Sequence, residues 1–252
     1  MAIRHFRIGQ IVPSSNTTME TEIPAILRGR EAVIPEERFT FHSSRMRMKK
    51  VTKEELAKMD ADSDRCAAEL ADARVDVLGY ACLVAIMSMG KGYHEVSEKR
   101  LTSVTATEGG PAPVVTSAGA LVHGLKALKA KRIAMVAPYM ASLCTMVADY
   151  IEHEGFEVVD RIALEIPDNL EVGRRDPLAL VDIYKTLRLT GVDVLVLSSC
   201  VQMPSLSAVP IVEQECGLPV ISASIATAYQ MLQKLGLRTT APNAGALLSG
   251  AY

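Results

Sequence analysis

Two segments of the chain share one pattern, in which an apolar, strand-like run ends at a cysteine. The segment V75DVLGYACLVAIMS88 ends its run at Cys82, and V192DVLVLSSCVQMPS205 ends its run at Cys200. Both begin with the same four residues and continue into small, flexible or turn-forming residues. A buried strand that ends twice on a thiol indicates a duplicated fold, with the two cysteines in corresponding places.

The elements around these segments repeat in the same order. Strand, helix, strand, helix, cysteine strand, helix, short strand and helix are predicted in each half of the chain. R132IAMVAPY opens the second half as F6RIGQIV opens the first, and G217LPVISASIATAYQMLQKLG236 matches P111APVVTSAGALVHGLKALK129. Repeated strand–helix units imply parallel sheets covered by helices on both faces. The predicted fold class is therefore α/β.

Local signals set the expected boundaries of several elements. Helical spacing of apolar residues predicts a helix over 53–73, and Asp176 before Pro177 indicates a helix start. A helix is also expected from about Pro204 to Cys216, and 237–252 is interpreted as a capping tail. Cys82 and Cys200 lie at unequal distances from the start of their segments, so we expect a β-bulge or altered exit in one copy.

Polar residues cluster where the predicted strands end. Ligands of parallel sheets bind beyond the carboxyl ends of the strands, and the four segments V12PSSNT, Y80AC, A137PYM and S198SC fall at that edge. Two facing halves would close one cleft there. Side chains and helix amino-terminal amides at this edge can donate hydrogen bonds to an anion, although each polar side chain could equally cap a helix. The side chains concerned are Ser14, Ser15, Asn16, Thr17, Tyr139, Ser198 and Ser199.

Composition and missing motifs narrow the function classes. A net charge of -2 gives no reason to expect nucleic acid or membrane partners, and no segment has the length of a membrane span. Five cysteines, an odd number without close pairs, predict reduced thiols and a cytoplasmic location. No metal-binding spacing and no nucleotide-binding glycine motif occurs, so neither a metal nor a cofactor is expected. The basic run over 45–50 is interpreted as a solvated strand end; attraction of an anionic substrate and a mobile flap are the alternatives.

Five motifs resemble a known family. V12PSSNT, G79YACLVA, V136APYMAS, P167DNLEV and S198SCVQMPS occur in this order over essentially the whole chain. They resemble the maleate cis-trans isomerases of the aspartate/glutamate racemase superfamily. That resemblance implies two pseudo-twofold-related flavodoxin-like domains, each a four-stranded parallel sheet flanked by helices, with the active site in the cleft between them.

The resemblance also implies domain bounds and an assembly. Residues 1–117 plus 226–252 would form the N-terminal domain, because the last helix crosses back to it, and 118–225 the C-terminal domain. A homodimer or a higher homo-oligomer is expected, with a small dicarboxylate as substrate and no cofactor.

Residue roles follow from the same motifs. Cys82 would be the nucleophile and Cys200 its partner in the isomerisation of maleate to fumarate, by thiolate addition, rotation about the C2–C3 bond and elimination. The remaining site residues implied by the motifs would contact the substrate or wall the pocket. Asn16, Tyr139 and Asn169 would bind the carboxylates, Val84 and Met203 would form walls, and Ser199 would donate beside the thiol.

Two alternatives stay open at this stage. A cofactor-independent amino-acid racemase would also use two cysteines, but such racemases typically follow each cysteine with Asn and Thr. Here Leu83 and Val84 follow the first cysteine, and Val201 and Gln202 follow the second. Arylmalonate decarboxylases generally retain only the second-half cysteine, so Cys82 argues against that chemistry. A small-anion binding protein with structural thiols is the alternative from another class.

Overall fold

Two four-stranded parallel sheets form the framework of this computed structural model, which describes residues 2–49 and 51–252. In the first sheet the strand order is β2-β1-β3-β4, and in the second it is β6-β5-β7-β8. Every pairing within them is parallel, so the predicted α/β duplication is confirmed. The strands are β1 Arg4–Pro13, β2 Glu37–Met46, β3 Val77–Tyr80, β4 Val114–Thr116, β5 Arg132–Ala137, β6 Glu157–Ala163, β7 Val194–Ser198 and β8 Val220–Ser222.

Helices connect consecutive strands and cover the sheets. Threonine side chains cap the amino termini of two helices. The hydroxyl of Thr52 accepts a hydrogen bond from the Glu55 amide, and the hydroxyl of Thr116 accepts one from the Gly119 amide. The helices are α1 Met19–Val33, α2 Lys53–Asp72, α3 Leu83–Ser88, α4 Tyr93–Thr107, α5 Ser117–Ala127, α6 Ala141–His153, α7 Asn169–Arg174, α8 Leu180–Ile183, α9 Val209–Cys216 and α10 Ala223–Lys234.

The expected bulge lies in the second cysteine strand. The pairing of β7 with β8 is regular through Val196, and its register then shifts between Val196 and Ser198. The extra residue accounts for the one-residue difference between the two cysteine segments. The extra residue offsets the alternation of side-chain direction along β7. Cys200 therefore follows its strand at the carboxyl edge of the sheet, as Cys82 does in the first sheet.

Of two predicted helix starts, one is wrong and one is confirmed. The helix expected from about Pro204 begins only at Val209, because the Glu22 carboxylate of α1 binds the Ser205 and Leu206 amides, 2.6 Å from each. Those contacts hold the preceding residues in turns rather than in a helix. The Asp176–Pro177 signal is confirmed at a 3₁₀ turn, in which the Asp176 side chain accepts from the Leu178 amide.

The C-terminal tail packs against the first half of the molecule. Helix α10 contacts α1, α5 and strands β3 and β4 of the first sheet. Arg30 of α1 is fully buried, and its guanidinium donates to Glu37 at 2.7 Å and to the carbonyl oxygens of Arg238 and Thr240 at 2.6 Å each. The contacts of α10 with α1, β3 and β4, and those of Arg30 with the tail, support our proposed division into 1–117 plus 226–252 and 118–225. The contact of α10 with α5 crosses this proposed boundary.

Replacement of Arg30 tests the strength of this attachment. Arg30→Met removes the buried partner of Glu37 and leaves two tail carbonyls without their donor, so we expect a loss of about 3 to 5 kcal/mol in unfolding free energy. Arg4→Met is the matched control, because Arg4 pairs with the same carboxylate at 2.7 Å but its side chain is 56% exposed. That control should cost only about 0 to 1 kcal/mol. Urea unfolding followed by circular dichroism measures both, and equal losses would contradict the assignment.

Candidate active site

Both cysteines singled out by the sequence lie just beyond the carboxyl ends of central strands. Cys82 comes two residues after the end of β3, and Cys200 comes two residues after the end of β7. A negative charge on Cys200 raises the pKa of Cys82, which requires the two thiols to lie within electrostatic range of one another. The fold therefore brings them together from sequence positions 118 apart.

Cys82 has an unusual backbone conformation. Its φ of 87° lies in the left-handed region, which a residue with a Cβ rarely adopts, and it immediately precedes α3. Backbone strain of this kind costs roughly 1 to 3 kcal/mol and persists where the surrounding structure requires it, often at functional sites. The sharp turn aligns the thiol with the first amides of α3, and the amide of Ala85 lowers the pKa of the thiol.

The environment of Cys82 nevertheless favours the neutral thiol. Burial raises its pKa to about 12, and the charges of Cys200 and Asp60 contribute in the same direction. Burial is the largest cause, because a thiolate that loses its water shell is not compensated by one amide. This environment therefore favours the protonated form of the nucleophile candidate near neutral pH.

Asp60 anchors the turn that carries Cys82 and was not predicted from the sequence. Its carboxylate accepts from the hydroxyl of Tyr80 at 3.1 Å, from the hydroxyl of Tyr93 at 2.6 Å and from Arg100 at 3.1 Å. These contacts join α2 and α4 to the end of β3. A single aspartate within an amphipathic helix gives no sequence signal of this role, because its partners lie 20 to 40 residues away.

Cys200 is more deeply buried and has more hydrogen-bond donors. Burial raises the pKa of Cys200, whereas the Tyr139 hydroxyl and the amides of Gln202 and Met203 lower it. The Tyr139 hydroxyl has one proton, which it shares between the Cys200 sulfur and the Ser199 carbonyl at 3.1 Å. A thiolate at Cys200 would therefore have three donors around it, which makes this thiol suited to releasing and recovering a proton.

The two predicted asparagines hold defined positions at the cleft. The side-chain oxygen of Asn16 accepts from the amides of Thr18 at 3.0 Å and Met19 at 2.9 Å, so the side chain caps the start of α1. With that oxygen occupied, the NH₂ group of Asn16 is the part able to donate to a ligand. Asn169 is the first residue of α7, and its NH₂ donates to the Ser15 hydroxyl at 2.8 Å.

A cavity of about 580 Å³ opens beside Cys200. Three of the predicted site residues lie on its wall, and the other five, Cys82, Asn16, Val84, Met203 and Ser199, are not among the described residues that line it. Val84, Met203 and Ser199 are fully or almost fully buried behind the loops. The lining residues are Lys49, Val51, Thr52, Pro138, Tyr139, Met140, Leu143, Ile166, Pro167, Asp168, Asn169, Val172 and Cys200.

The basic run has a structural role as well as an exposed surface. Arg45 forms an ion pair with Glu20 and donates to the Asn16 carbonyl at 2.5 Å, which ties β2 to the loop after β1. Lys49 lies on the cavity wall and brings a positive charge to it. Lys50, the last residue of the run, lies outside the described residues. The run is thus both a solvated strand end and part of the cavity wall.

The arrangement suits covalent chemistry on a small anion. The thiol of Cys200, the phenol of Tyr139 and the amide of Asn169 line a cavity that is large enough for a small organic acid, and the Cys82 thiol lies within electrostatic range of Cys200. In the part of the chain that the structure describes, no group of three or more His, Cys, Asp or Glu side chains could hold a metal ion. The groups present offer a nucleophile, a proton donor and neutral hydrogen-bond donors.

Comparison with known proteins agrees with this chemistry. The profile of the arylmalonate decarboxylase family matches residues 8–248. A maleate isomerase of Pseudomonas putida is 67% identical over 247 residues, which cover 98% of this chain and 98% of the relative. The chain belongs to the maleate isomerases within this family. The expected family resemblance is therefore confirmed.

Solved structures of maleate isomerases share the fold throughout. One, a cysteine-to-alanine variant from Pseudomonas putida with maleate, superposes with a TM-score of 0.97 at 62% identity and covers 99% of both chains. Another is a cysteine-to-serine variant from Nocardia farcinica with a covalently bound succinylcysteine intermediate. It gives a TM-score of 0.94 at 47% identity and covers 99% of this chain and 100% of the other.

Alkylation of Cys82 tests its protonation state. Because the raised pKa leaves little thiolate near neutral pH, the iodoacetamide rate at Cys82 should increase about tenfold per pH unit from about pH 7 to about pH 10. A free thiol levels off soon after its pKa of about 8.5, so N-acetylcysteine is the reference. Peptide mass spectrometry measures the rate at Cys82 alone. A plateau below about pH 8 would contradict the raised pKa.

Proposed function

We propose that this protein converts maleate to fumarate by thiolate addition to the carbon–carbon double bond, rotation about the resulting single bond and elimination. The observation that carries the proposal is that Cys82 lies within electrostatic range of Cys200, which lines the cavity together with Tyr139 and Asn169. The succinylcysteine in the Nocardia farcinica relative supports it, because addition of a thiol to maleate yields a succinyl thioether.

The reaction needs a temporary single bond between the two central carbons. Even the partial double bond of a peptide resists rotation by about 18 to 20 kcal/mol, and a full double bond resists it more. The Cys82 thiolate forms a sulfur–carbon bond, and the electron pair of the double bond moves to the neighbouring carbon and its carboxylate. After rotation the pair returns, the sulfur–carbon bond breaks, and the trans isomer leaves. Each step conserves electrons, so the proposed route requires no cofactor.

The high pKa of Cys82 is compatible with a nucleophilic role. A thiolate of higher pKa is intrinsically more nucleophilic, although less of it is present. Addition to the alkene transfers the negative charge from sulfur to the substrate, so the desolvated anion is consumed in the step. The amide of Ala85, which lowers the pKa of Cys82, would stabilise the thiolate before attack and again at elimination.

Cys200 would carry out the proton transfers that the reaction needs. We assign it a relay, in which Cys82 gives the proton it loses to Cys200 while Cys200 donates a proton to the carbon next to the attacked carbon. In elimination Cys200 removes a proton from that carbon and returns one to the Cys82 sulfur. A thiolate formed on Cys200 during the relay would be stabilised by the amides of Gln202 and Met203, which lower the pKa of Cys200, and by the Tyr139 O–H when that proton is not donated to the substrate carboxylate. Protonation yields a neutral succinyl carbon, which is the form named in the Nocardia farcinica relative.

Neutral donors would hold the two carboxylates. Asn16, Tyr139 and Asn169 are assigned this role, because hydrogen bonds to the carboxylate beside the attacked carbon stabilise its enolate-like form during addition. Val84 and Met203 would shape the pocket from behind the loops, and Ser199 would act through its carbonyl contact with Tyr139 at 3.1 Å. Lys49 brings a positive charge to the entrance of a cavity that takes a dianion.

Location and assembly complete the proposal. Five free cysteines support a reducing compartment, and on that basis we propose the cytoplasm. Among the described helices, none is long and apolar enough to cross a membrane. A homodimer or a higher homo-oligomer remains our proposal from the family resemblance.

Cysteine variants test the assigned chemistry. The pure protein should convert maleate to fumarate without added cofactor, and Cys82→Ser should lower kcat by about 10³-fold or more because the nucleophile is lost. Cys200→Ser should accumulate an adduct on Cys82 with the mass of one maleic acid, because water can slowly protonate the carbanion whereas the resulting succinyl carbon lacks the base that starts elimination. Proton nuclear magnetic resonance follows turnover, and intact-protein and peptide mass spectrometry locate the adduct.

Cys144→Ser is the matched control, since Cys144 is buried in α6, and it should retain turnover. An active Cys82→Ser enzyme would refute the nucleophile assignment. An inert parent protein that exchanges solvent deuterium into a chiral amino acid would instead support the racemase, which family membership does not favour. If the parent does not convert maleate, and if Cys82→Ser and Cys200→Ser bind the anion as tightly as the parent does, the alternative of a small-anion binding protein would be supported.

A further inference from the structure

Gln202 connects the second cysteine loop to two other loops of the cleft. It lies two residues after Cys200, is 2% exposed, and sends its side chain toward the loop that follows β1. The side-chain oxygen accepts from the Thr17 amide at 2.8 Å. The side-chain nitrogen donates to the Asn169 carbonyl at 2.7 Å and to the Ser15 carbonyl at 3.2 Å.

These partners fix the orientation of the Gln202 amide. A backbone N–H can only donate and a backbone carbonyl can only accept, so the oxygen must face Thr17 and the nitrogen must face Asn169 and Ser15. Both donor hydrogens of the side chain are used. No other side chain of similar size offers one acceptor and two donors at these positions.

The main chain of Gln202 extends the same set of contacts. Its carbonyl accepts from the Thr18 hydroxyl at 2.8 Å, just before α1 begins. Its amide N–H approaches the Cys200 thiol and lowers the pKa of that thiol. One residue therefore contacts a reactive thiol through its backbone and, through its side chain, the loops that carry Asn16 and Asn169.

Helix α7 packs closely against the Gln202 side chain at Gly173. A Cβ at Gly173 would lie 2.5 Å from the Gln202 side-chain nitrogen and 2.6 Å from the Thr17 hydroxyl, both well inside contact distance. Helix α7 can approach closely only because it has no side chain there. The position of Asn169, four residues earlier on the same helix, depends on that approach.

We propose that Gln202 is a positioning residue that sets the distance between the carboxylate-binding asparagines and Cys200. This inference rests on the proposed isomerase function. The separation of the two substrate carboxylates changes between the cis and trans isomers, so the spacing of their binding groups affects which isomer the site holds well. Gln202 joins the three loops into one unit with a single spacing.

Kinetics of Gln202→Met test the proposal. Methionine has a similar length but cannot bond to Thr17, Asn169 or Ser15, so the asparagines lose their fixed spacing. We expect the KM for maleate to increase about tenfold and kcat/KM to fall about 100-fold, as misplacement of binding groups by about 1 Å can cause. Iodoacetamide alkylation of Cys82 should change less than about twofold, because Gln202 contributes nothing to the shifted pKa of that thiol.

Gln230→Met is the matched control. Gln230 is also a buried glutamine, 8% exposed, but it lies on α10 at a separate cavity lined by His94 and His123. Its kinetic constants should equal those of the parent. Thermal unfolding of both variants identifies any general loss of folding, and alkylation of Cys82 provides a second check.

Gly173→Ala gives an independent route to the same contact. In the parent the added methyl displaces the Gln202 side chain, and kcat/KM should fall about tenfold. In a background with both Thr17→Ala and Gln202→Ala, which removes both atoms that the methyl would meet, the further loss should be less than about threefold. Additive losses would contradict the coupling. A Gln202→Met enzyme with the parent's KM and kcat would overturn the inference, whereas a parent inert toward maleate would overturn the proposed function.

Discussion

Desolvation of the two cleft thiols is the constraint on which the rest of the site depends. Burial raises the pKa of both Cys82 and Cys200, so the protein holds potential anions in an environment that disfavours their charge. A dianionic substrate would add to that cost. The compensation consists of neutral donors, namely backbone amides, a tyrosine hydroxyl and asparagine side chains, and the described residues place no buried cation beside the two thiols. Neutral donors release a dicarboxylate product more readily than a fixed cation would.

The two halves of the duplicated fold surround their buried cysteine thiols with different groups. The first cysteine has a left-handed backbone, one assisting amide and a negative carboxylate nearby, so its thiol is strongly kept in the neutral form. At the second cysteine, Cys200, three hydrogen-bond donors lower the pKa of the thiol, and burial is the effect that raises it. Equivalent places in a pseudo-symmetric fold have thus acquired unequal proton affinities. Such a difference suits a nucleophile paired with a proton donor better than it suits two equal acid–base groups.

Contacts between loops, more than the sheets themselves, fix the distances at the cleft. Glu22 binds the amides of Ser205 and Leu206, and Arg45 binds the Asn16 carbonyl, so polar groups outside the reaction hold the strand-end loops. Gln202 belongs to the same class of contact. These groups are buried or partly buried and are satisfied by backbone partners, which makes each loop conformation costly to leave.

The sequence alone determined the framework, because periodicity and strand-end residues are local properties. It predicted the α/β duplication, the β-bulge and the two strand-end cysteines, and similarity of motifs predicted the family. Tertiary structure alone decided the roles of Asp60, Gln202 and Gly173 and the late start of α9 at Val209. It also decided that Val84, Met203 and Ser199 are buried behind the cavity wall. Each of these depends on partners many residues away, such as the 183 residues that separate Glu22 from Ser205. No local pattern encodes which distant backbone group a side chain meets, since that choice follows from how the packed sheets bring their loops together.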